Sequence, residues 1–572
     1  MSTQESFRQQ APAPLPPRPI HVPRATEHKL SNGLTVVIVE DSRLPLVSYR
    51  LAFRAGDAHD PSELPGLTDL LTGLLTEGTQ SLTSRQIADE VGRMGATLSS
   101  GANSDYTTVA ASSLATFSDK ILDLVADVTR NPSFPENEVD LIKQNTKESL
   151  RQQRAQPSFL ATEMVSRVVF GEHPYSVIAP TLESLDATTR ERIVEFHRSK
   201  FLPNNAVFVI AGDVRSENML KRIESLFGDW KPGKLPTDNF PSPPTRNARS
   251  AYLVDRPGSA QSNIVIANSG ITRTSPDYFP MLLMHTVLGA NASSRLFMNL
   301  REEKGYTYGA YSSLDARRTA GTLRVSAEVR TPVTGDSLKE FFYELNRIRN
   351  EPVSDREVTD AKSYLTGVFP LRLETQEGLI DQLVQIKMFG LPDEYLETYR
   401  QKIQEVTTKQ IQDVAVKYVR PEEAAIVIVG DGAEVLEQLQ IYTNEVEIYN
   451  TSGKRKEKAA AIGAAGEENN PALILGDWTL DIQTPFGQNI PATLKVFQKG
   501  DELGGSVASE MGDAEIDSAR LVGNSFNATL SFDMAGQSLT AQIVGEVDGE
   551  QMEGSISLQD SPQLPFTGTR TS

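Results

Sequence analysis

The chain has 572 residues, 39% of them hydrophobic and 23% charged, with 39 glycines and no cysteine. This is the composition of folded globular protein, and it excludes a collagen, a wholly disordered chain, a disulfide scaffold and any thiolate ligand or catalytic thiol. The net charge of −19 repels phosphate backbones and argues against nucleic acid as a partner, and no apolar run reaches the ~18 residues of a transmembrane segment.

The opening MSTQESFRQQ has no apolar segment and does not read as a secretory signal, so the chain is expected either to be cytosolic or to have lost a leader. Residues 11–24 hold six prolines, which predicts an extended tether over 1–27. From residue 28 onward two related halves follow. The first opens with GLTVVIVED (33–41) and closes with AVFVIAGDV (206–214); the second opens with AYLVDRPGS (251–259) and closes with AAIVIVGDG (424–432). FVIAGD and IVIVGD are β-branched runs ending in Gly-Asp, 218 residues apart, as a duplicated domain would place them.

Within the first half, LVSYRLAF (46–53) reads as a strand and 82–95 as a helix, with Thr83 and Gln86 at capping-box spacing. Residues 97–114 alternate like a hairpin, and 116–130 and 135–155 read as long amphipathic helices. The expected domains are therefore 28–230 and 251–448, both α+β with antiparallel strands. The five prolines of 231–250 predict an exposed, semi-rigid linker between them. Residues 449–471 lack large apolar side chains and predict a flexible linker. Beyond it, 472–572 consists of short alternating runs separated by Gly, Asp and Asn, which predicts a small all-β barrel or sandwich. That tail carries four basic and fourteen acidic residues, about half of the whole imbalance.

Chemistry is sparse. No G-x-S-x-G elbow or Walker loop is present. The six histidines, His21, His28, His59, His173, His197 and His285, are never three to five residues apart, so no helix offers a paired imidazole face. His173 and His197 read best as structural hydrogen-bonding residues.

The segment DAHDPSELPGLTDLLTGLLTEGT (57–79) resembles the signature region of the insulinase, pitrilysin and mitochondrial processing peptidase family. There an apolar helix carries H-x-x-E-H, two zinc-binding histidines and a glutamate base. This chain keeps the frame (Gly66, Leu67, Leu70, Leu71, Gly78, Thr79) but has Asp69, Thr72 and Gly73 at the three chemical positions. The later helix that brings the third ligand aligns with 141–157 and puts Ser149 at that place. The resemblance thus implies no metal in this chain, with Asp69 and Thr72 left as a solvated helix face.

The second half resembles the family more fully. YFPMLLMHTVLGANASSRLFMNLREEKGYTYGAYSS (278–313) matches its second-domain signature, with Gly305 suited to a left-handed helix cap. Arg301 and Tyr308 stand at the spacing of the family's Arg/Tyr pair, which holds the substrate carbonyl and stabilises the oxyanion formed at the zinc. The family also binds peptide along an edge strand through G-G-x-L-N-A. Here MGATLSSGANSDYT (94–107) keeps Gly95, Leu98 and Asp105 but has Ser99 at the Asn place, so Leu98 and Ser99 are the implied substrate-binding residues. The tail resembles lipocalin-like barrels, on the marks GDW (476–478) and FTGTR (566–570), with Trp478 expected to plug the floor and Arg570 to pack over it.

The resemblance spans about residues 28–445 and implies the non-catalytic subunit of a two-chain bacterial zinc peptidase. Its partner would be a family chain with intact H-x-x-E-H, holding the zinc, and peptides would be the substrates. The isolated chain is then not expected to be a metallopeptidase. The alternatives are a structural or assembly protein, or a peptide-binding protein, of the same fold. By analogy with bacterial relatives that have a Pro-rich lead, the expected compartment is the periplasm or cell envelope, with the cytoplasm as the alternative.

Overall fold

A computed structural model of the protein describes residues 22–235, 238–443, 445–456, 473–484, 489–499, 502–509, 512–522, 525–534, 537–558 and 564–571. They fall into two units, one ending at Lys454 and one beginning at Arg455. Most of the Pro-rich tether and of the second linker lies outside the described residues.

The first unit holds two six-stranded sheets of the same design. In space the first runs Ala25–Lys29, Thr35–Glu40, Ala206–Gly212, Leu46–Phe53, Thr107–Leu114, Thr97–Ala102. The second runs Val446–Tyr449, Ser250–Asp255, Ala425–Gly430, Gln261–Ser269, Gly321–Arg330, Thr307–Ala316. In each, the strand that opens the half lies parallel to the strand that closes it, and the other central pairings are antiparallel. The closing strands are buried along their whole length. A strand covered on both faces has no polar side, which is why the sequence repeat appears as two unbroken apolar runs. Regular structure begins at Ala25, earlier than the expected residue 28, because the end of the tether pairs with Thr35–Glu40 as an outer strand.

The helices follow their local signals. Ser84–Met94 starts on Thr83, whose hydroxyl accepts from Gln86 N while the Gln86 side chain accepts from Thr83 N at 2.9 Å. Ser118–Arg130 and Glu136–Arg154 fill the two long amphipathic stretches.

The halves exchange helices. Pro157–Phe170 of the first packs its apolar face on strands Ala425–Gly430 and Gln261–Ser269 of the second. Gln376–Phe389 of the second packs on strands Ala206–Gly212 and Leu46–Phe53 of the first. The seam is also pinned by polar groups. The Tyr175 hydroxyl donates to Asp105, and Asp105 accepts from Arg318 N at 3.2 Å. The Arg317 guanidinium donates to Ser104 Oγ at 2.9 Å and lies 4.8 Å from the centre of the Tyr175 ring. Both Asp105 and Tyr175 are buried. Asp105→Ala leaves a buried phenol without its acceptor and is expected to cost about 1–3 kcal/mol in urea unfolding; Tyr175→Phe, which keeps Asp105 on Arg318, costs less.

The described residues of the linker 231–250 are largely solvent-facing, yet they are anchored at several points, one of them at the seam. Asp238 accepts from Arg318 at 2.6 Å and contacts His59 Nε2 at 3.0 Å, and Phe240 packs edge-on to His59 and His173. Its prolines set an extended path, and these contacts choose where the path touches the seam.

The second unit is a closed barrel of eight antiparallel strands, each paired with its neighbours in sequence and the last, Leu564–Arg570, closing on the first, Gly476–Gln483. A barrel of eight strands leaves an interior that side chains can fill. Here Trp478, Leu480, Leu494, Phe526 and Ile543 fill it. Trp478 is fully buried, its indole N–H donates to Ile474 O at 2.9 Å, and the Arg570 guanidinium lies 4.8 Å from the ring centre.

Candidate functional site

Two places in the first unit correspond to each other. In the first half, helix Leu67–Leu74 lies along the edge strand Thr97–Ala102, and Ser100 Oγ donates to Thr72 O at 2.6 Å. In the second half, helix Tyr278–Gly289 lies along the edge strand Thr307–Ala316, and Ser312 Oγ donates to His285 O at 3.0 Å. Thr72 and His285 are thus equivalent by fold, a relation invisible in sequence.

The first place does not fit a zinc ion. Gly73 has no donor atom, and a Cβ added there would lie 2.3 Å from Ile142 Cδ1, so an apolar side chain fills the space a second ligand would need. Ser149, two turns beyond Ile142 on the same helix, is exposed and accepts from Gln153 Nε2 at 3.1 Å. Thr72 is buried rather than on a solvated face, and its hydroxyl turns back to Asp69 O at 3.0 Å. The reason is the edge strand, which covers this side of the helix. Among the described residues, no three His, Asp or Glu side chains converge as metal ligands.

A carboxylate group remains around that helix. Asp60 caps its start, accepting from Gly66 N at 2.8 Å, Thr68 N at 2.9 Å and the Thr68 hydroxyl. Burial nevertheless pushes the Asp60 carboxyl up to about 6, the three donors offsetting part of that cost. Burial together with the neighbouring Asp69 and Asp60 charges pushes Asp57 up to about 7. Asp69 is solvent-accessible but closely surrounded by protein, and its carboxyl is also raised. On the edge strand Leu98 packs against the core while Ser99 faces solvent, so only Ser99 presents its side chain.

The second place is open. Residues Met298–Glu303 form a π-turn, a form often found where a side chain is re-aimed for function. The turn closes through Gly305 N on Arg301 O at 3.2 Å, with Gly305 at φ 65°, and Tyr306 N on Leu300 O at 3.0 Å. Arg301 lies 4.8 Å from the centre of the Phe297 ring, pairs with Glu302 at 2.8 Å and keeps 45% of its side chain exposed. The edge strand follows at once. Ala327 pairs with Ala310 but Val329 with Thr307, so a bulge sets Tyr308 and Gly309 against Glu328 alone. Tyr308 is 92% exposed as a result. A π-turn and a β-bulge therefore leave both side chains solvent-accessible near one end of an edge strand whose outer side pairs with no other described strand.

Three histidines are held in structural contacts. His197 Nε2 donates to Thr129 O at 2.8 Å, and burial holds the imidazole down at about 4. His285 Nδ1 contacts Ser312 Oγ at 2.6 Å and is likewise held at about 4 by burial. His173 lies between Tyr175 N and Thr319 Oγ1, both at 3.1 Å.

The family model described as Insulinase (Peptidase family M16) matches residues 35–180, and that described as Peptidase M16 inactive domain matches 187–365. An uncharacterised zinc protease of Mycobacterium leprae is 25% identical over 392 residues, covering 68% of this chain and 87% of the relative. A Helicobacter pylori protein named Non-peptidase homolog YmxG is 23% identical over 398 residues, covering 68% of this chain and 90% of the relative. Among solved structures, a peptidase M16 inactive domain from Pseudomonas fluorescens superposes with a TM-score of 0.67 at 25% identity, over 71% of this chain and 98% of that one. A protease from Helicobacter pylori gives 0.66 at 19% identity, over 71% and 100%.

Proposed function

Because this chain belongs to the insulinase (M16) peptidase family, as an inactive member of it, we propose that it is the non-catalytic half of a two-chain peptidase. Its partner is a family chain with intact H-x-x-E-H that supplies the zinc, and the substrates are peptides. One contrast carries this reading: Ile142 fills the space beside Gly73, while Arg301, paired only with its neighbour Glu302 and half exposed, and the exposed Tyr308 stand beside an open edge strand. Arg301 supplies a permanent positive charge and several N–H donors to a carbonyl oxygen that becomes an oxyanion; Tyr308 supplies one neutral donor. The edge strand offers backbone groups to an extended peptide.

The test starts from co-purification of the tagged full chain from its own cells, which should recover a family chain carrying H-x-x-E-H. The pair should cleave a quenched fluorescent peptide that neither chain cleaves alone. Arg301→Ala should lower kcat of the pair about 10²–10³-fold, the usual loss for one oxyanion donor. Undiminished cleavage by that variant removes the role given to Arg301. Chelator-sensitive cleavage by the lone chain removes the whole reading.

A further inference from the structure

Away from both edge strands, the first half contains a cavity of ≈ 470 Å³ between the end of helix Ser118–Arg130, the loop 131–135, helix Arg190–Lys200 and Trp230. In a chain of net charge −19, its lining holds Arg130, Arg190, Arg198 and Lys231 and no aspartate or glutamate. Arg130 is committed to Asp229 at 2.8 Å. The other three have no ion pair among the described residues. Arg190 is fixed by donating to Phe134 O and Ser133 O, both at 2.7 Å, which spends two of its nitrogens on carbonyls, and the adjacent Glu191 carboxylate senses its charge without forming an ion pair. Glu191 and Glu195 line the adjoining groove, which Arg190 and Arg198 also border, and Glu195 faces Arg192 at 3.5 Å.

A second feature marks the same wall. Phe134 has φ 47°, a positive value that no other non-glycine residue among the described ones adopts. A bulky side chain in that region is strained, and such strain persists only where the surroundings impose it. Here Phe134 is held both by its packing in the core and by Arg190, which donates to its carbonyl.

We propose that this cavity binds a small organic phosphate. Three cations that form no ion pair call for an anion of more than one charge, and a guanidinium held in place, as Arg190 is, suits phosphate oxygens. Gln80, Asn131 and Ser133 add neutral polar groups to the lining. The volume exceeds what inorganic phosphate fills, and the Trp230 ring with Val194 and Phe201 offers an apolar wall for a flat group. The site is independent of Arg301 and Tyr308, so it stands or falls apart from the peptidase reading.

Phenyl phosphate and inorganic phosphate are titrated into the full chain by calorimetry, with Trp230 fluorescence as a local reporter. Phenyl phosphate should saturate one site and bind more tightly than inorganic phosphate. In the variant Arg198→Glu with Lys231→Glu, binding should weaken about tenfold or more, since two attractions become repulsions. Both side chains are exposed, so the thermal unfolding of that variant should match the parent. Absence of saturation by ~10 mM, or equal binding in parent and variant, overturns the site.

Discussion

Trp478→Ala is expected to unfold the barrel. The indole is fully buried at one end of a core made by strands from around the whole ring. Removing a buried aromatic side chain costs about 3–5 kcal/mol, against a total stability of about 5–15 kcal/mol for an ordinary domain. The loss does not stop at the ring, because Ile474 O loses its donor and the Arg570 guanidinium its aromatic face. Trp478→Phe keeps an aromatic ring but removes the N–H and the second ring of the indole, leaving a smaller cavity, so it should cost about 2–3 kcal/mol, less than the alanine change. Limited proteolysis followed by mass spectrometry checks this: the alanine variant should be cut within 473–571, and the parent and phenylalanine variant should resist. Resistance of the alanine variant would show that Trp478 does not hold the barrel closed.

The second large effect is on acid stability. His197 and His285 are held near 4 in the folded chain against an ordinary value of 6.5, so the folded state binds fewer protons than the unfolded one between those values. Their contribution is present above pH 6.5 and is lost as pH falls toward 4. At about 1.4 kcal/mol per unit, each is worth on the order of 3 kcal/mol at the acid limit. Asp57 and Asp60 act in the opposite sense. Their folded values, about 7 and about 6, lie above the ordinary 3.8, so stability from them grows as pH falls through 7 and 6. The two pairs offset one another in the parent. Asp57→Asn removes one offsetting group and should steepen the loss of stability between pH 7 and pH 4.5; His197→Gln should flatten it. Urea unfolding at a series of pH values checks both, and parallel curves for parent and variants would exclude these groups as the source.

Much of the fold was legible because local physics dominates there. The closing strands are buried on both faces, so their sequences are unbroken apolar runs and the duplication could be read from them. The capping pair Thr83 and Gln86 and the hairpin over 97–114 depend on neighbours within a few residues. The pairing of Arg570 with Trp478 was readable from the short motifs at the two ends of the barrel.

The chemistry of the degenerate helix was half legible. Asp69, Thr72 and Gly73 announce that the zinc ligands are gone, whatever the fold does with them. Thr72 is buried against the expectation of a solvated face, because only the packed edge strand decides which side of that helix is covered. The equivalence of Thr72 and His285, and the cationic cavity beside Phe134, carry no sequence signal. Each gathers residues from separate segments, and spacing along the chain says nothing about them.

By itself, then, the sequence determined the class of the protein: two related α+β halves, a small β tail, no thiol chemistry and no imidazole pair on any helix. These depend on residue type and periodicity, which folding does not change. Tertiary structure alone decided where side chains point. A π-turn before Gly305 and a bulge at Tyr308 turn two residues outward at an open strand edge, and Ile142 closes the space beside Gly73. Such departures from regular geometry arise from contacts between distant segments, whose energies do not appear until the chain has packed.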